Sequence, residues 1–192
     1  MKTGFVALFL TAAIALSAYA ALEPGDMAPE FEAKASLAGE EFDFSLKEAL
    51  ADGTVVVYFY PSAYTQGCNI QAREFAVNME EFEAAGASVI GVSLDSIERL
   101  NAFSADPEYC AGKLPVASDE SGDIARSFDL EVQPARSGIT DTRGEEIDHG
   151  FVERTTFVVT PDGRIAQRIG GMAPRENVLK SLEAVQKLQA AR

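Results

Sequence analysis

The sequence predicts an α/β fold of three layers, in which a central mixed sheet is flanked by helices. Two continuous apolar runs, Thr54 to Tyr60 and Ser88 to Leu94, enclose a helical pattern from Cys68 to Ala85. Apolar runs of this length indicate strands that are buried on both faces. A strand–helix–strand unit makes its two strands parallel. The turn signal Pro161-Asp162-Gly163 adds an antiparallel hairpin, so the sheet is mixed.

The segment before the first buried strand predicts a hairpin and a short helix. Phe31 to Phe44 alternates loosely between apolar and polar residues, with a turn about Leu37-Ala-Gly39-Glu40. Ser45-Leu-Lys-Glu48 resembles a capping box, in which the serine side chain satisfies free amides at a helix start. We therefore expect a short helix over 46–51, which ends at Asp52-Gly53.

The elements after the second buried strand are mostly short. We predict a helix over 96–105, a strand over 114–117, a helix over 121–129, a long loop over 131–150 with at most a weak strand, strands over 151–160 and 164–169, and a final helix that Pro174 opens. This order of elements is typical of a thioredoxin-like fold. Such a fold hosts many chemistries, so the function must be argued from the site.

The first 20 residues predict a secretory signal peptide. Lys2 supplies a positive start, Phe5 to Leu16 is apolar, and Ala18-Tyr19-Ala20 is a cleavage pattern. The apolar run is short for a bilayer span, although an uncleaved anchor is the alternative. Removing 20 of the 192 residues leaves 172, which suits one domain over 21–192. We therefore expect a periplasmic or secreted protein that has no membrane segment in its mature form.

The net charge limits the classes of partner. The chain carries a formal charge of −14 at pH 7, and loss of the signal peptide removes only Lys2, which makes it −15. A strongly acidic surface argues against nucleic acid and anionic membranes as partners. Solubility is the simplest explanation of this charge.

The chain has two cysteines, Cys68 and Cys110. In an exported protein such a pair most often forms a structural disulfide, and the alternative is a working pair that cycles between thiol and disulfide. Cys68 follows a buried strand and the loop that starts at Pro61, so it falls where a helix should begin. The free amides and partial positive charge of a helix start favour thiolate over thiol. The position of Cys68 therefore favours the working pair, and predicts a reactive sulfur rather than a packed one.

A thiolate that attacks a peroxide bond needs a donor to hold the substrate oxygen and positive charge for the leaving oxygen. Thr65 lies three residues before Cys68, so its hydroxyl can face the same pocket, and Pro61 shields the approach. The candidates for the positive charge are Arg154, which opens an apolar strand pattern, and Arg73, which lies one turn after Cys68 and is more typical of a surface position.

Two motifs in these residues resemble a known family. Pro61-x3-Thr65-x2-Cys68 is similar to the active-site signature of peroxiredoxins, and Arg154-x-Thr156-Phe157 resembles their second, arginine-bearing motif. The resemblance extends over 24–188. It implies that Cys68 attacks hydrogen peroxide or an alkyl hydroperoxide and becomes a sulfenic acid, with Thr65 and Arg154 holding the peroxide and Pro61 limiting solvent. It implies no cofactor.

Within that family the chain resembles most the bacterioferritin-comigratory-protein (Q-type) class, whose members are often monomeric. Many members carry a resolving cysteine five residues after the first one, but this chain has Arg73 there. The resemblance therefore assigns the resolving role to Cys110, 42 residues on, as the partner of Cys68 in an intramolecular disulfide. The alternative is that Cys110 is a bystander and an external thiol resolves Cys68. A thioredoxin-like or glutaredoxin-like reductant is implied.

Two other functions compete with the peroxidase interpretation. A thioredoxin-like disulfide oxidoreductase needs a second thiol three residues from the first, and these positions hold Thr65 and Gln71. A non-enzymatic binding domain is the other alternative. His149, the only histidine, cannot form a histidine-rich metal site and is expected in a loop. We expect Asp95, at the end of a strand, to cap the helix that follows.

Overall fold

The buried strand–helix–strand unit forms the centre of the molecule, as predicted. The computed structural model describes residues 22–191, and the predicted signal peptide lies outside them. In chain order the elements are β1 (Glu32–Leu37), β2 (Glu40–Ser45), α1 (Leu46–Asp52), β3 (Thr54–Phe59), α2 (Gln66–Ala84), β4 (Ala87–Ser93), α3 (Ile97–Ala105), β5 (Val116–Ser118), α4 (Asp123–Ser127), β6 (Val132–Gln133), β7 (Phe151–Val152), β8 (Thr155–Val159), β9 (Ile165–Gly170) and α5 (Pro174–Ala190).

The main sheet has seven strands in the order β2-β1-β5-β4-β3-β8-β9. β3 runs parallel to β4, and β4 runs parallel to β5, whereas β8 pairs antiparallel with both β3 and β9. Every residue of β3 is buried, because helices cover both faces of the sheet. The mixed sheet and the parallel pair that the sequence predicts are therefore confirmed.

Two hydrophobic cores separate the three layers. On one face, side chains of α2, α3 and α5, such as Phe75, Phe103 and Val178, pack against the sheet. On the other face, Leu46 of α1 and Ala125 of α4 belong to the second core. Both cysteines lie in the first core, so the chemistry is confined to one side of the sheet. Within the described part of the chain, no helix is long and apolar enough to cross a membrane.

The predicted hairpin between β1 and β2 and the helix α1 with its Ser45 cap are confirmed. The single strand that we expected over 151–160 is wrong, because it is divided. β7 pairs with β6 in a separate ribbon, and β8 enters the main sheet. Glu153 and Arg154 connect the two strands and belong to neither. The side chain of Arg154 therefore leaves the sheet at this break, which directs it toward α2.

Candidate active site

Cys68 lies in the first turn of α2. Thr65 is the N-cap residue, with an extended backbone (φ −88°, ψ 149°), and the helix begins at Gln66, two residues earlier than its apolar pattern indicates. The first backbone hydrogen bond of the helix runs from the amide of Asn69 to the carbonyl of Thr65, at 2.8 Å. The amides before Asn69 therefore lack partners in the helix, and their partial positive charge lies beside the thiol.

The Cys68 thiol is buried, with only 2% of the residue exposed. It packs in the same core as Tyr60, Tyr64 and Ala72. The expectation of an unpacked sulfur is therefore wrong, because the loop before α2 folds over it. A site that excludes water strengthens every charge interaction within it, so burial does not make this sulfur unreactive.

Arg154 brings a positive charge to the sulfur. Its Nη2 lies 3.4 Å from Cys68 Sγ, and its Nη1 donates to the side-chain oxygen of Gln71. Gln71 is fully buried, and its amide nitrogen donates to Asn177 Oδ1 at 3.0 Å. The hydroxyl of Thr156 donates to the same oxygen at 2.7 Å. Because Gln71 is a neutral partner, it orients the guanidinium without neutralising its charge.

Gly67 makes room for this arginine. A Cβ on Gly67 would lie 3.0 Å from Arg154 Nη2 and 3.5 Å from a side-chain carbon of Pro174. The first of these distances is tighter than an ordinary van der Waals contact. The absence of a side chain at position 67 therefore allows the guanidinium to approach the first turn of α2.

Replacing Gly67 with alanine is expected to slow the oxidation of Cys68 by roughly tenfold, because the new methyl group displaces Arg154 from the sulfur. Alanine also favours helix over glycine, so we expect the free energy of unfolding to stay the same or to rise. Rapid-quench measurement of Cys68 oxidation, together with chemical denaturation, checks both results. Gly170→Ala is the matched control, since its Cβ meets Thr155 Oγ1 at an ordinary 3.5 Å. Equal rates for both variants would contradict the role of Gly67.

Pro61 and Thr65 both lie in the loop between β3 and α2. Pro61 is half-buried where the loop begins. The Thr65 hydroxyl donates its hydrogen to the carbonyl of Ser62, at 2.9 Å, and makes no cap bond to the helix. The lone pairs of that oxygen remain able to accept a hydrogen bond from a ligand.

The backbone of Tyr64, in this loop, has a strained conformation. Its φ is +61°, a left-handed value that bulky residues rarely adopt. The amide and hydroxyl of Thr142 donate to the Tyr64 carbonyl at 2.9 and 2.7 Å, and the Arg143 guanidinium carbon lies 3.3 Å from the centre of the Tyr64 ring. On its other side the ring meets Tyr109, with centroids 5.8 Å apart. The predicted loop over 131–150 therefore contributes to the site, because residues 141–143 fix the Cys68 loop.

Asp95 holds the loop between β3 and α2 through hydrogen bonds. The prediction that it caps α3 is wrong. Ser96 is the cap of α3, and its hydroxyl accepts from the Arg99 amide. The carboxylate of Asp95 is fully buried and accepts hydrogen bonds from the Ala63 amide at 2.8 Å, the Ser62 hydroxyl at 2.9 Å and the Ser93 hydroxyl at 2.7 Å. A buried carboxylate needs such donors, and two of them belong to the active-site loop.

Two basic side chains complete the surroundings of Asp95. Arg99 Nε and His149 Nε2 each lie 2.9 Å from Asp95 Oδ1. Arg99 also donates to the Ala63 carbonyl at 3.0 Å and to Asp141 at 2.7 Å. His149 is thus in a loop segment, as expected, but it is attached to the site. The contact of Arg99 with Asp95 has the i,i+4 spacing of a helix pair, but that of His149 does not follow from sequence spacing, since 54 residues separate it from Asp95.

Cys110 lies just beyond the end of α3, in a turn segment over 106–114. It is fully buried, and both cysteines are free thiols. Burial, with a smaller effect from Asp106, raises the pKa of Cys110 well above its ordinary value. Cys110 is therefore a neutral thiol in this conformation.

The other arginine candidate, Arg73, makes its contact with a different segment of the chain. Arg73 is exposed and donates to the Pro107 carbonyl at 3.3 Å, so it ties α2 to the segment that carries Cys110. The carboxylate of Glu74 pairs with Arg175 at 3.2 Å. Arg154 is therefore the arginine that the structure brings to Cys68.

The site combines a buried thiol, the start of a helix and one arginine that is not neutralised by its protein partner. This arrangement suits attack by a thiolate on an electrophile whose leaving group becomes negative. Thr65 adds an acceptor, which suits a substrate that carries an O–H group.

Comparison with known proteins agrees with this chemistry. The model of the AhpC/TSA family matches residues 24–168. A relative from Escherichia coli (strain K12), Peroxiredoxin Bcp, is 31% identical over 144 residues, which cover 75% of this chain and 83% of the relative. A putative peroxiredoxin from Mycobacterium tuberculosis (strain CDC 1551 / Oshkosh) is 35% identical over 147 residues, covering 75% and 82%.

Solved structures show the same similarity. The crystal structure of peroxidoxin BcpB from Mycobacterium tuberculosis has a TM-score of 0.72 at 27% identity, over 87% of this chain and 98% of that one. A structure of the Xanthomonas campestris bacterioferritin comigratory protein has a TM-score of 0.64 at 27% identity, over 81% and 91% of the two chains. That protein is described for its alkyl peroxide reduction activity.

Proposed function

The chain belongs to the AhpC/TSA family, as a thiol-dependent peroxidase of the Bcp, or Q-type, peroxiredoxin class, and from this premise we propose that Cys68 is the thiol that attacks the peroxide. The observation that carries the proposal is the 3.4 Å contact between Arg154 Nη2 and Cys68 Sγ at the start of α2. A cation and free amides at one sulfur stabilise its thiolate.

In the first step the Cys68 thiolate attacks one peroxide oxygen. A sulfur–oxygen bond forms, the O–O bond breaks, and the leaving oxygen takes a proton to become water or an alcohol. Arg154 stabilises the charge on the leaving oxygen. Thr65 accepts the hydrogen bond of the hydroperoxide O–H, since its own hydrogen is given to Ser62. Pro61 covers the approach and limits solvent. The substrates are hydrogen peroxide and alkyl hydroperoxides.

In the second step Cys110 attacks the sulfur of the Cys68 sulfenic acid. The disulfide bond forms, the sulfur–oxygen bond breaks, and the hydroxyl group leaves as water with the proton of the Cys110 thiol. Both sulfurs are buried and unbonded in the reduced protein, so the first turn of α2 and the segment over 106–114 open locally for this step. The strained φ of Tyr64 favours opening, because the strain is released when the loop moves.

The cycle closes when an external dithiol reduces the disulfide. A thioredoxin-like or glutaredoxin-like protein fits this role, since thiol–disulfide exchange then returns both cysteines to thiols. The signal-like sequence over 1–20 supports a periplasmic or secreted location for the enzyme and its reductant. The class resemblance supports a monomer.

Mass spectrometry of the protein after one equivalent of hydrogen peroxide tests this scheme. We expect the wild type to lose two hydrogens and both alkylatable thiols, since the product is the Cys68–Cys110 disulfide. The Cys110→Ser variant is expected to gain one oxygen, because Cys68 stops at the sulfenic acid. Cys68→Ser is the matched control and should keep its mass. A wild-type product with an oxidised Cys68 and an alkylatable Cys110 would assign resolution to an external thiol.

A further inference from the structure

The side chain of His149 lies between two hydrogen-bond acceptors. Its Nε2 is 2.9 Å from Asp95 Oδ1, and its Nδ1 is 2.7 Å from the carbonyl oxygen of Gly150. A neutral imidazole carries one N–H and can satisfy only one of these acceptors, whereas an imidazolium donates to both. The geometry therefore favours the charged form of His149.

Asp95 is the carboxylate that this charge faces, and its other partners lead to the active site. The Ser62 hydroxyl and the Ala63 amide both donate to it, and both lie in the loop that ends at Thr65. The Ser62 hydroxyl is also 3.3 Å from His149 Nε2. The position of the loop thus depends on a carboxylate that is itself held by His149.

We propose that the imidazolium of His149 is a positioning residue for the peroxide reaction, because it holds Asp95 and, through Ser62 and Ala63, the loop that aims Thr65 and the first turn of α2. This inference rests on the proposed function, in which Cys68 is the reacting thiol. It makes peroxide reduction depend on the protonation of a side chain that does not touch the substrate.

The charged groups around His149 come from two other parts of the chain. Asp95 follows β4, and Arg99 on α3 shares the same carboxylate oxygen at 2.9 Å. Arg99 in turn pairs with Asp141 at 2.7 Å and with Glu145 at 3.3 Å. The remaining ring neighbour is Phe151, with centroids 5.9 Å apart. Arg99 opposes the charge on His149, and the two carboxylates that pair with Arg99 are shared with Arg143, which lies 3.0 Å from Asp141 and 2.5 Å from Glu145.

These surroundings agree with the charged form. Burial lowers the pKa of His149, but the hydrogen bond and charge of Asp95 and the bond to Gly150 outweigh burial, so the pKa lies above its ordinary value of 6.5. Burial also raises the pKa of Asp95, but hydrogen bonds from His149, Ala63 and Ser93 outweigh it, and the net shift is downward. Asp95 therefore stays a carboxylate while His149 titrates.

The direction of the pH effect follows from the raised pKa of His149. The stabilising contact is fully present below about pH 6.5, where histidine is charged even in the unfolded chain. It is lost as the pH rises through the higher pKa of the folded state. Deprotonation then removes the positive charge beside Asp95 and one of the two hydrogen bonds that His149 donates, and the loop loosens.

The test is the rate of Cys68 oxidation by hydrogen peroxide from about pH 5 to about pH 8, corrected for the fraction of Cys68 present as thiolate. A Cys110→Ser background stops the reaction at the sulfenic acid, which is trapped and counted by mass spectrometry. In the protein that keeps His149, we expect the corrected rate to fall by roughly tenfold to a hundredfold as the pH rises. His149→Gln is expected to be slow at every pH, and His149→Arg, which keeps a charge and several donors, fast at every pH.

Asp148→Asn is the control, since it removes an exposed carboxylate next to His149 and should leave the pH profile unchanged. A corrected rate that is flat with His149 intact, or a profile that survives in His149→Gln, overturns the inference. If the glutamine variant does not fold, the pH profile of the protein that keeps His149, compared with that of the His149→Arg variant, decides alone. Cys68 that is not oxidised in any variant would instead overturn the proposed function.

Discussion

Peroxide consumption is expected to fall to the uncatalysed rate when Cys68 is replaced by serine. A serine hydroxyl stays protonated near neutral pH, and its oxygen cannot accept an oxygen atom as sulfur does. The surrounding structure gives no substitute, because the other thiol, Cys110, is fully buried and its pKa is raised by that burial. The measurement is the loss of hydrogen peroxide over many turnovers with an excess of reductant.

Cys110→Ser separates the two thiols in the same assay. It keeps the first turnover, so it should consume one equivalent of peroxide at the wild-type rate and then slow down. Continued turnover then depends on how fast an external thiol reaches the sulfenic acid. If Cys68→Ser retained wild-type consumption, Cys110 would have to be the attacking thiol and the assignment of the two cysteines would be reversed.

Most of the fold could be predicted because hydrophobic periodicity reports burial directly. The helical spacing of Phe75, Met79 and Phe82 predicts the inner face of α2, and all three side chains are buried. The division of the strand after position 150 could not be predicted in this way. It depends on the pairing of β7 with β6, which is a tertiary contact between short segments without a strong pattern of their own.

The local part of the site could also be predicted from the sequence. Pro61, Thr65 and Cys68 lie within one loop and one helix turn, so their spacing in the chain limits their spacing in space. Arg154 is 86 residues from Cys68; its apolar strand context made it one of two candidates, and its resemblance to a family motif favoured it over Arg73. The burial of the sulfur could not be predicted, because the sequence does not show that residues 141–143 hold its loop in place.

Gln71 shows how one position carries two pieces of information. In the sequence it matters as a missing thiol, since a disulfide oxidoreductase needs a cysteine three residues from the first one. In the structure the same side chain is buried and accepts from Arg154. Gln71, where a disulfide oxidoreductase would carry its second thiol, therefore accepts the hydrogen bond that orients Arg154.

Asp95 and His149 were missed because their partners are chosen by the folded chain. The sequence offers one signal, a single carboxylate at the end of the buried run Val92-Ser-Leu-Asp95. A charge in that place must be paired if it is buried. Such reasoning predicts that partners exist, but it does not identify Ser62, Ala63 and His149 among all the possible donors.

Replacing Arg154 with glutamine is expected to slow the oxidation of Cys68 by about two to three orders of magnitude, or roughly 3–4 kcal/mol in the activation free energy. The variant removes the charge beside the sulfur and the group that stabilises the leaving oxygen. Arg154→Lys keeps a charge, but an ammonium cannot reach Gln71 and the sulfur together as the planar guanidinium does, so we expect an intermediate rate. Single-turnover oxidation by hydrogen peroxide is the measurement.

Arg73→Gln is the matched control for the loss of an arginine near α2. Arg73 is exposed and contacts Pro107 rather than the sulfur, so the rate of Cys68 oxidation should not change. Because Arg73 contacts the segment that carries Cys110, the Arg73→Gln variant can change only the later step, in which the disulfide forms. Equal slowing of Cys68 oxidation in the Arg73 and Arg154 variants would show that general surface charge, rather than the contact at 3.4 Å, attracts and activates the peroxide. Slowing confined to Arg154 ties the activation to that contact, since the two variants remove the same charge from the protein.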